Sequence, residues 1–193
     1  MECWTDGKVA EWSSHNGSIA GAVRTLAEDQ QGVIWVGADD GSIYRFDGDG
    51  FHAFPLPDFP THQSVWALLP DADGTLWLGT AETGLLHFDA GRFTRFTSKD
   101  GLPGDMICQI LDDERGSLWL GTHHGICRVT KEALRNFASG KTSTITCSVY
   151  GRSDGLPTLQ CSDMYQPAAW RGHDGKLWFA MAKGVVGVQP DEM

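Results

Sequence analysis

GTLWLGT, from Gly74 to Thr80, is written again 42 residues later as GSLWLGT, from Gly116 to Thr122. A weaker copy, GVIWVGA, starts 42 residues upstream at Gly32, and a fourth, GKLWFAM, starts at Gly175 after a longer gap of 59. Aligning the copies on Trp35, Trp77, Trp119 and Trp178 extends the match in both directions. Six residues before each Trp stand Asp29, Asp71 and Asp113, and then Gly172 in the last copy. Six or seven residues after it stand Gly41, Gly84, Gly125 and Gly184. Phe46-Asp47 and Phe88-Asp89 close the next segment in the first two copies. A fixed period of this length is the mark of a repeat architecture.

Each copy reads as four short strands, A to D. In the second copy SVWALLP is A, TLWLGTA is B, GLLHFD is C and RFTRFT is D. In DADG and DERG an Asp can cap a tight turn, and a Gly supplies the positive φ that the turn needs before the next strand. Loops this short join only antiparallel neighbours. Strand B decides the architecture. Leu76, Trp77 and Leu78 run without polar alternation, so both faces must be covered. Four-stranded antiparallel sheets that cover one another describe an all-β fold, the β-propeller, with each Trp wedged against the following blade. A sandwich or barrel of short strands fits a four-strand period poorly.

The repeat divides the chain into units at 18–60, 64–101 and 106–155, flanked by partial blades at 1–14 and 159–193, about four to five blades in a partial or small ring forming a single propeller domain. ECWTDGKVAEWSS reads as strands C and D about an Asp-Gly turn. In the third unit TKEALRNFASG makes a helical insertion ending at Gly140, and STITCSVYG supplies strand D. A four-blade closure through the N-terminal strand, or an eight-blade ring from two exchanging chains, are the two closures open to it. Apolar blade edges left open would favour self-association.

Composition agrees with this reading and removes other classes. Eight Trp and 24 Gly in 193 residues, 41% of them hydrophobic, suit turn-rich β structure with a real core. A net charge of −10 argues against nucleic-acid binding and against anchoring on anionic lipid. No apolar run is long enough to span a bilayer, and MECWTDGKVAEW lacks the apolar core of a signal peptide. The chain is then cytoplasmic or a piece of something longer. Cys3, Cys108, Cys127, Cys147 and Cys161 include no Cys-x-x-Cys pair and read as small buried apolar residues rather than as a zinc site. Asn16-Gly17-Ser18 fits a glycosylation sequon.

The segment LLPDADGTLWLGTAETGLLHFDAGRFTRFTSKDGLPGD resembles the two-component regulator propeller repeat, with its Asp-x-x-Gly-x-Leu-Trp-hydrophobic-Gly-Thr core, Gly-Leu strand, aromatic-Asp turn and DGLP linker. The end of the chain, from Tyr150 to Met193, resembles the last blade of such propellers. The resemblance implies the C-terminal blades of a periplasmic sensor propeller of a bacterial two-component or hybrid histidine kinase regulator. It implies signal transduction by a non-enzymatic sensing or binding module, with any kinase in a further domain. The alternatives are a propeller lyase or hydrolase with a channel-mouth site, and a purely structural protein-interaction propeller.

Candidate site residues follow from topology. In an up-and-down blade the B–C and D–A loops share one face around the channel mouth. They offer Asp39, Asp40, Glu82, His123, His124 and Lys183 from B–C loops, and His62 and Asp105 from D–A loops. This polar rim is the expected site for a small molecule, a carbohydrate among the candidates, or for a protein. Adjacent strand residues point apart, so His123-His124 is read as loop rather than as a metal site, and no cofactor is called for. The Asp-rich turns offer too few oxygens for calcium. Trp66 and Trp170 fall in A strands, which line the channel; both are assigned to the core. No Gly-x-Ser-x-Gly elbow or phosphate-cradling loop is present in the sequence.

Overall fold

A computed structural model of the chain describes residues 2–5, 8–11, 19–56, 59, 63–163 and 166–193, the first two stretches as backbone only. It is a β-propeller. β1 (Glu2–Thr5) and β2 (Lys8–Glu11) pair as an antiparallel hairpin. The Asp-Gly turn between them, the sequon and His62 lie outside the described residues.

Three four-stranded antiparallel sheets follow, each in chain order. The first blade holds β3 (Val23–Glu28), β4 (Ile34–Ala38), β5 (Ile43–Phe46) and β6 (Phe51–Phe54). The second holds β7 (Val65–Pro70), β8 (Leu76–Thr80), β9 (Leu85–Asp89) and β10 (Arg92–Phe96). The third holds β11 (Ile107–Asp112), β12 (Ser117–Thr122), β13 (Gly125–Thr130) and β14 (Ser148–Tyr150). A three-stranded sheet closes the series with β15 (Ala169–Arg171), β16 (Leu177–Met181) and β17 (Gly184–Val188). The innermost strands β3, β7, β11 and β15 meet one another in sequence order.

The A–B turns carry the chemistry that their sequence promises. Asp113 Oδ1 accepts from the backbone N–H of Arg115 at 2.8 Å and of Ser117 at 3.0 Å. Gly116 then turns at φ 91°, a conformation that a side chain disfavours. The same carboxylate does a second task that the turn signal did not announce: its Oδ2 accepts from the Trp119 indole N–H at 3.1 Å. Asp71 does this for Trp77 at 2.8 Å, and Asp29 for Trp35 at 2.9 Å. In the first and third blades one Asp therefore fixes both the turn and the ring, while in the second Asp71 holds the ring and Asp73 Oδ1 accepts from the Thr75 N–H at 3.1 Å.

Those rings are the mortar between blades. Trp35 packs with Leu68, Leu76 and Leu78 of the second blade. Trp77 packs with Ile107, Leu118 and Leu120 of the third, and Trp119 with Leu177 and Phe179 of the last sheet. On the neighbouring C strand a cation or a His lies opposite each ring. Arg45 sits 5.8 Å from the Trp35 ring, His87 stacks on Trp77 at 3.9 Å, and Arg128 sits 5.5 Å from Trp119. β8 and β12 are buried at every position, as their apolar runs require.

The fourth repeat departs from this rule. Trp178 is 38% exposed and Trp170 is 63% exposed, against 7%, 3% and 0% for Trp35, Trp77 and Trp119. The expectation that every Trp of the row, and Trp170, is core is corrected here. Gly172 replaces the capping Asp, and Gly187 stands opposite Trp178 where Arg45, His87 and Arg128 stand in the other blades. Lys176 reaches over the ring instead, 4.5 Å from its centre.

The insertion in the third blade is α1 (Lys131–Ala138), started by Thr130, whose hydroxyl accepts from the Ala133 N–H at 3.0 Å. Leu134 and Phe137 turn toward the core shared by the second and third blades. Lys131 bridges those blades, 2.6 Å from Asp71 and 2.8 Å from Asp112. Between the third blade and the last sheet, Gln109 Nε2 donates to the carbonyls of Ser162 and Ala180, and Arg171 pairs with Glu114 at 2.7 Å.

Candidate functional site

The innermost strand of each complete blade slips by one residue against its B strand. The slip falls between Val23 and Thr25, between Val65 and Ala67, and between Ile107 and Gln109. The extra residue is Arg24, Trp66 or Cys108, again 42 residues apart. A bulge re-aims the side chain that it inserts. Here all three line one cavity of about 290 Å³, together with Thr25, Ser162, Asp163 and Gln166. Its residues come from the starts of β3, β7 and β11 and from the segment entering β15, so it lies at the channel mouth on the B–C and D–A loop side.

The lining is mixed. Arg24 is exposed, Trp66 half-buried and Cys108 buried. Burial pushes the Cys108 thiol well above its ordinary range, so it acts as a small apolar surface. Gln166 crosses the mouth and donates from Nε2 to the carbonyl of the bulged Trp66 at 3.1 Å. A cation, a carboxylate, an amide and an indole around a concave space can together orient a small polar molecule.

Of the eight rim residues expected from loop topology, His62 lies outside the described residues and the other seven are not among the residues that line this cavity. Their loops do lie on one face, laced by backbone hydrogen bonds. Asp39 N donates to Ala22 O at 3.0 Å, Gly84 N to Asp105 O at 2.8 Å, and Ala182 N to Gln160 O at 2.9 Å. Several of the side chains are taken up by backbone N–H groups of the same rim. Asp39 accepts from the Ala22 N–H, Asp40 from the Ser42 N–H and Asp105 from the Ser98 N–H. Glu82, His124 and Lys183 are exposed, and the His124 ring lies over Gly104. Among the described rim residues, His123 reaches toward the mouth through Asp163, whose Oδ2 lies 3.2 Å from its Nε2. Among the described residues no cluster of His, Cys, Asp and Glu could hold a metal ion. Arg24, Asp163 and Gln166 were not singled out by the sequence. The signal that could have found Arg24 is its place one period before Trp66.

Comparison with known proteins supports the architecture. Segments 17–40, 60–82 and 101–124 match the family model described as two component regulator propeller. No curated protein matches the chain significantly. Among solved structures, an extracellular domain described as that of a hybrid two component system from B. thetaiotaomicron superposes with a TM-score of 0.70 at 22% identity, over 95% of this chain and 24% of that one. An extracellular domain described as that of a one component system from the same organism gives 0.66 at 20% identity, over 88% and 23%. Virginiamycin B lyase from Staphylococcus aureus gives 0.61 at 15% identity, over 97% and 62%. At these identities the likeness is one of fold. The chain spans about a quarter of the length of the two extracellular domains. No helix among the described residues is long and apolar enough to cross a membrane. Repeat period, blade topology and three matched segments agree: the chain is a β-propeller that carries copies of the two component regulator propeller repeat.

Proposed function

We propose that the chain is a non-enzymatic sensing segment of the periplasmic, ligand-facing part of a two-component regulator, and that it binds a small polar molecule at the channel mouth. The observation that carries this reading is the in-register bulge, which sends Arg24, Trp66 and Cys108 from three blades into one cavity beside Asp163 and Gln166. A molecule held there would touch β3, β7 and the entry to β15 together. It would favour whichever packing of those blades gives it more contacts, and a ligand shifts an equilibrium only by such a difference. A carbohydrate suits the mixture of an indole face with Arg, Asp and Gln. The test is calorimetric titration of the protein with a panel of neutral and acidic oligosaccharides. A binder whose affinity falls at least about tenfold in both Arg24→Ala and Trp66→Ala, with melting temperature unchanged, supports the reading. Binding indifferent to both substitutions defeats it.

One observation favours a second reading, that of a lyase or hydrolase. His123 and Asp163 come from different units and meet 3.2 Å apart at the mouth, an arrangement that can hold an imidazole ready for proton transfer. Turnover of a bound sugar that is abolished in His123→Ala would establish this reading in place of the first. Binding without turnover would leave the first standing.

A further inference from the structure

The third blade departs from its siblings twice, and both departures end at a thiol. The residue opposite the B-strand Leu is Tyr44 opposite Val36, Leu86 opposite Leu78 and Cys127 opposite Leu120. Where the other complete blades place a large side chain, β13 thus places a small one, fully buried. The insertion, which the first two blades lack, then returns to the sheet through Cys147, the residue just before β14. Cys147 is half-buried and packs on the cluster that contains Cys127. Across the sheet β14 sets Val149 opposite Cys127, and Cys147 stands two residues before Val149, the spacing that returns a side chain to the same face.

We propose that Cys127 and Cys147 form an intramolecular disulfide when the folded protein meets a small-molecule disulfide, and that this bond fixes the inserted segment to β13. The inferred order of attack follows from exposure. Cys147 is the accessible partner, and the neighbouring Cys127 thiol favours its thiolate and lowers its titration, against the opposing effect of burial. Its sulfur attacks one sulfur of the oxidant, glutathione disulfide for example. One glutathione leaves as thiolate and takes up a proton. The Cys127 sulfur then gives up its proton and attacks Cys147 Sγ, releasing the second glutathione. Two protein thiols are oxidised and one external disulfide is reduced to two thiols.

The bond would secure more than the insertion. The return segment lies along the linker between the second and third blades, where Ile145 N donates to Asp100 O at 2.6 Å and Cys147 Sγ to Gly101 O at 3.5 Å. Cys108 and Cys161 provide the internal contrast. Both are fully buried, and burial pushes the Cys161 thiol up to about 12 despite an N–H from Thr122. They should remain thiols.

The experiment is to incubate the folded chain with glutathione disulfide, quench, alkylate under denaturing conditions, and map the peptides by mass. The expected result is a chain about 2 Da lighter before alkylation, with Cys127 cross-linked to Cys147 and Cys108 and Cys161 alkylated. The oxidised protein should melt several degrees higher than the reduced one, a rise that disappears in Cys147→Ser. Cys127→Ala should instead retain glutathione on Cys147. If that variant does not fold, the peptide map of the parent and of Cys147→Ser decides alone. Recovery of both thiols alkylated, glutathione left on Cys147 with Cys127 free, or pairing to Cys3, Cys108 or Cys161 overturns the proposal.

Discussion

Trp119 and Trp178 hold the same place in consecutive repeats, within nearly the same words, yet one is 0% and the other 38% exposed. Trp119 has Asp113 on its indole N–H, Arg128 beside its face and the last sheet against its far side. Trp178 has Gly172 where the acid would be, Gly187 where the cation would be and Lys176 across its ring. The seven-residue phrase encodes a strand that is able to be buried on both faces. Whether it is buried depends on the adjacent blade, which the phrase does not contain.

The largest expected effect separates the two rings directly. Trp119→Ala should destabilise by about 3–5 kcal/mol in urea denaturation, the cost of a large cavity in a sealed junction. Trp178→Ala should lose about 1–2 kcal/mol, since more than a third of its surface already meets water. Equal losses would break the comparison and show that Trp178 is covered in solution. Next comes the acid that Trp178 lacks. Asp113→Ala removes the turn's acceptor and leaves a buried indole N–H unpaired, for an expected loss of about 2 kcal/mol in the same assay. If Asp113→Asn is as damaging as the Ala change, the charge and not the hydrogen bonding is what matters there.

A pH titration sharpens the same point. Burial pushes Asp29, Asp71 and Asp113 up, but hydrogen bonds from the indole and the turn N–H groups outweigh it, helped at Asp71 by Lys131 and at Asp113 by Arg128. All three carboxyls therefore titrate below their ordinary value. A folded pKa below the unfolded one gives stability that is complete above the unfolded value and is lost as pH falls through the folded value. Stability from these groups should hold down to about pH 4 and decline below it. Asp113→Asn should show a shallower decline in that window; an unchanged acid limb would remove Asp113 from the account. The smallest expected effect is a gain. Gly172→Asp restores the repeat's acid beside Trp178 and should add less than about 1 kcal/mol, once Asp174 swings aside from the new carboxylate. No rise in melting temperature would mean that an exposed ring cannot use the acid.

Much of this fold was legible because the repeat supplies its own controls. Four copies fixed the strand order, the A–B turns and the helical insertion after Thr130, each of which rests on local chemistry. The exposure of Trp178 was not legible, because its cause is a neighbour. The lining of the cavity at the channel mouth was not legible for a different reason. Loop polarity singled out Asp39, Asp40 and Asp105, whose carboxylates accept from backbone N–H groups of the rim itself. Three of the residues that do reach the cavity, Arg24, Trp66 and Cys108, lie inside strands at a slip of register. An alternating pattern assigns each residue a face, but one inserted residue changes that assignment, and only the partner strand shows where the insertion falls.

The bulge has a consequence for how such a mouth can change over time. Each complete blade contributes one letter to it, and here the word is Arg24, Trp66, Cys108. The letters stand apart from the Trp–Asp pairs that hold the blades together, so a letter can be rewritten without disturbing the wall. Duplicating a blade adds a letter, and exchanging two blades transposes the word. A scaffold of near-identical units can in this way present new recognition surfaces by single substitutions at a 42-residue spacing, while the sentence around each letter stays the same.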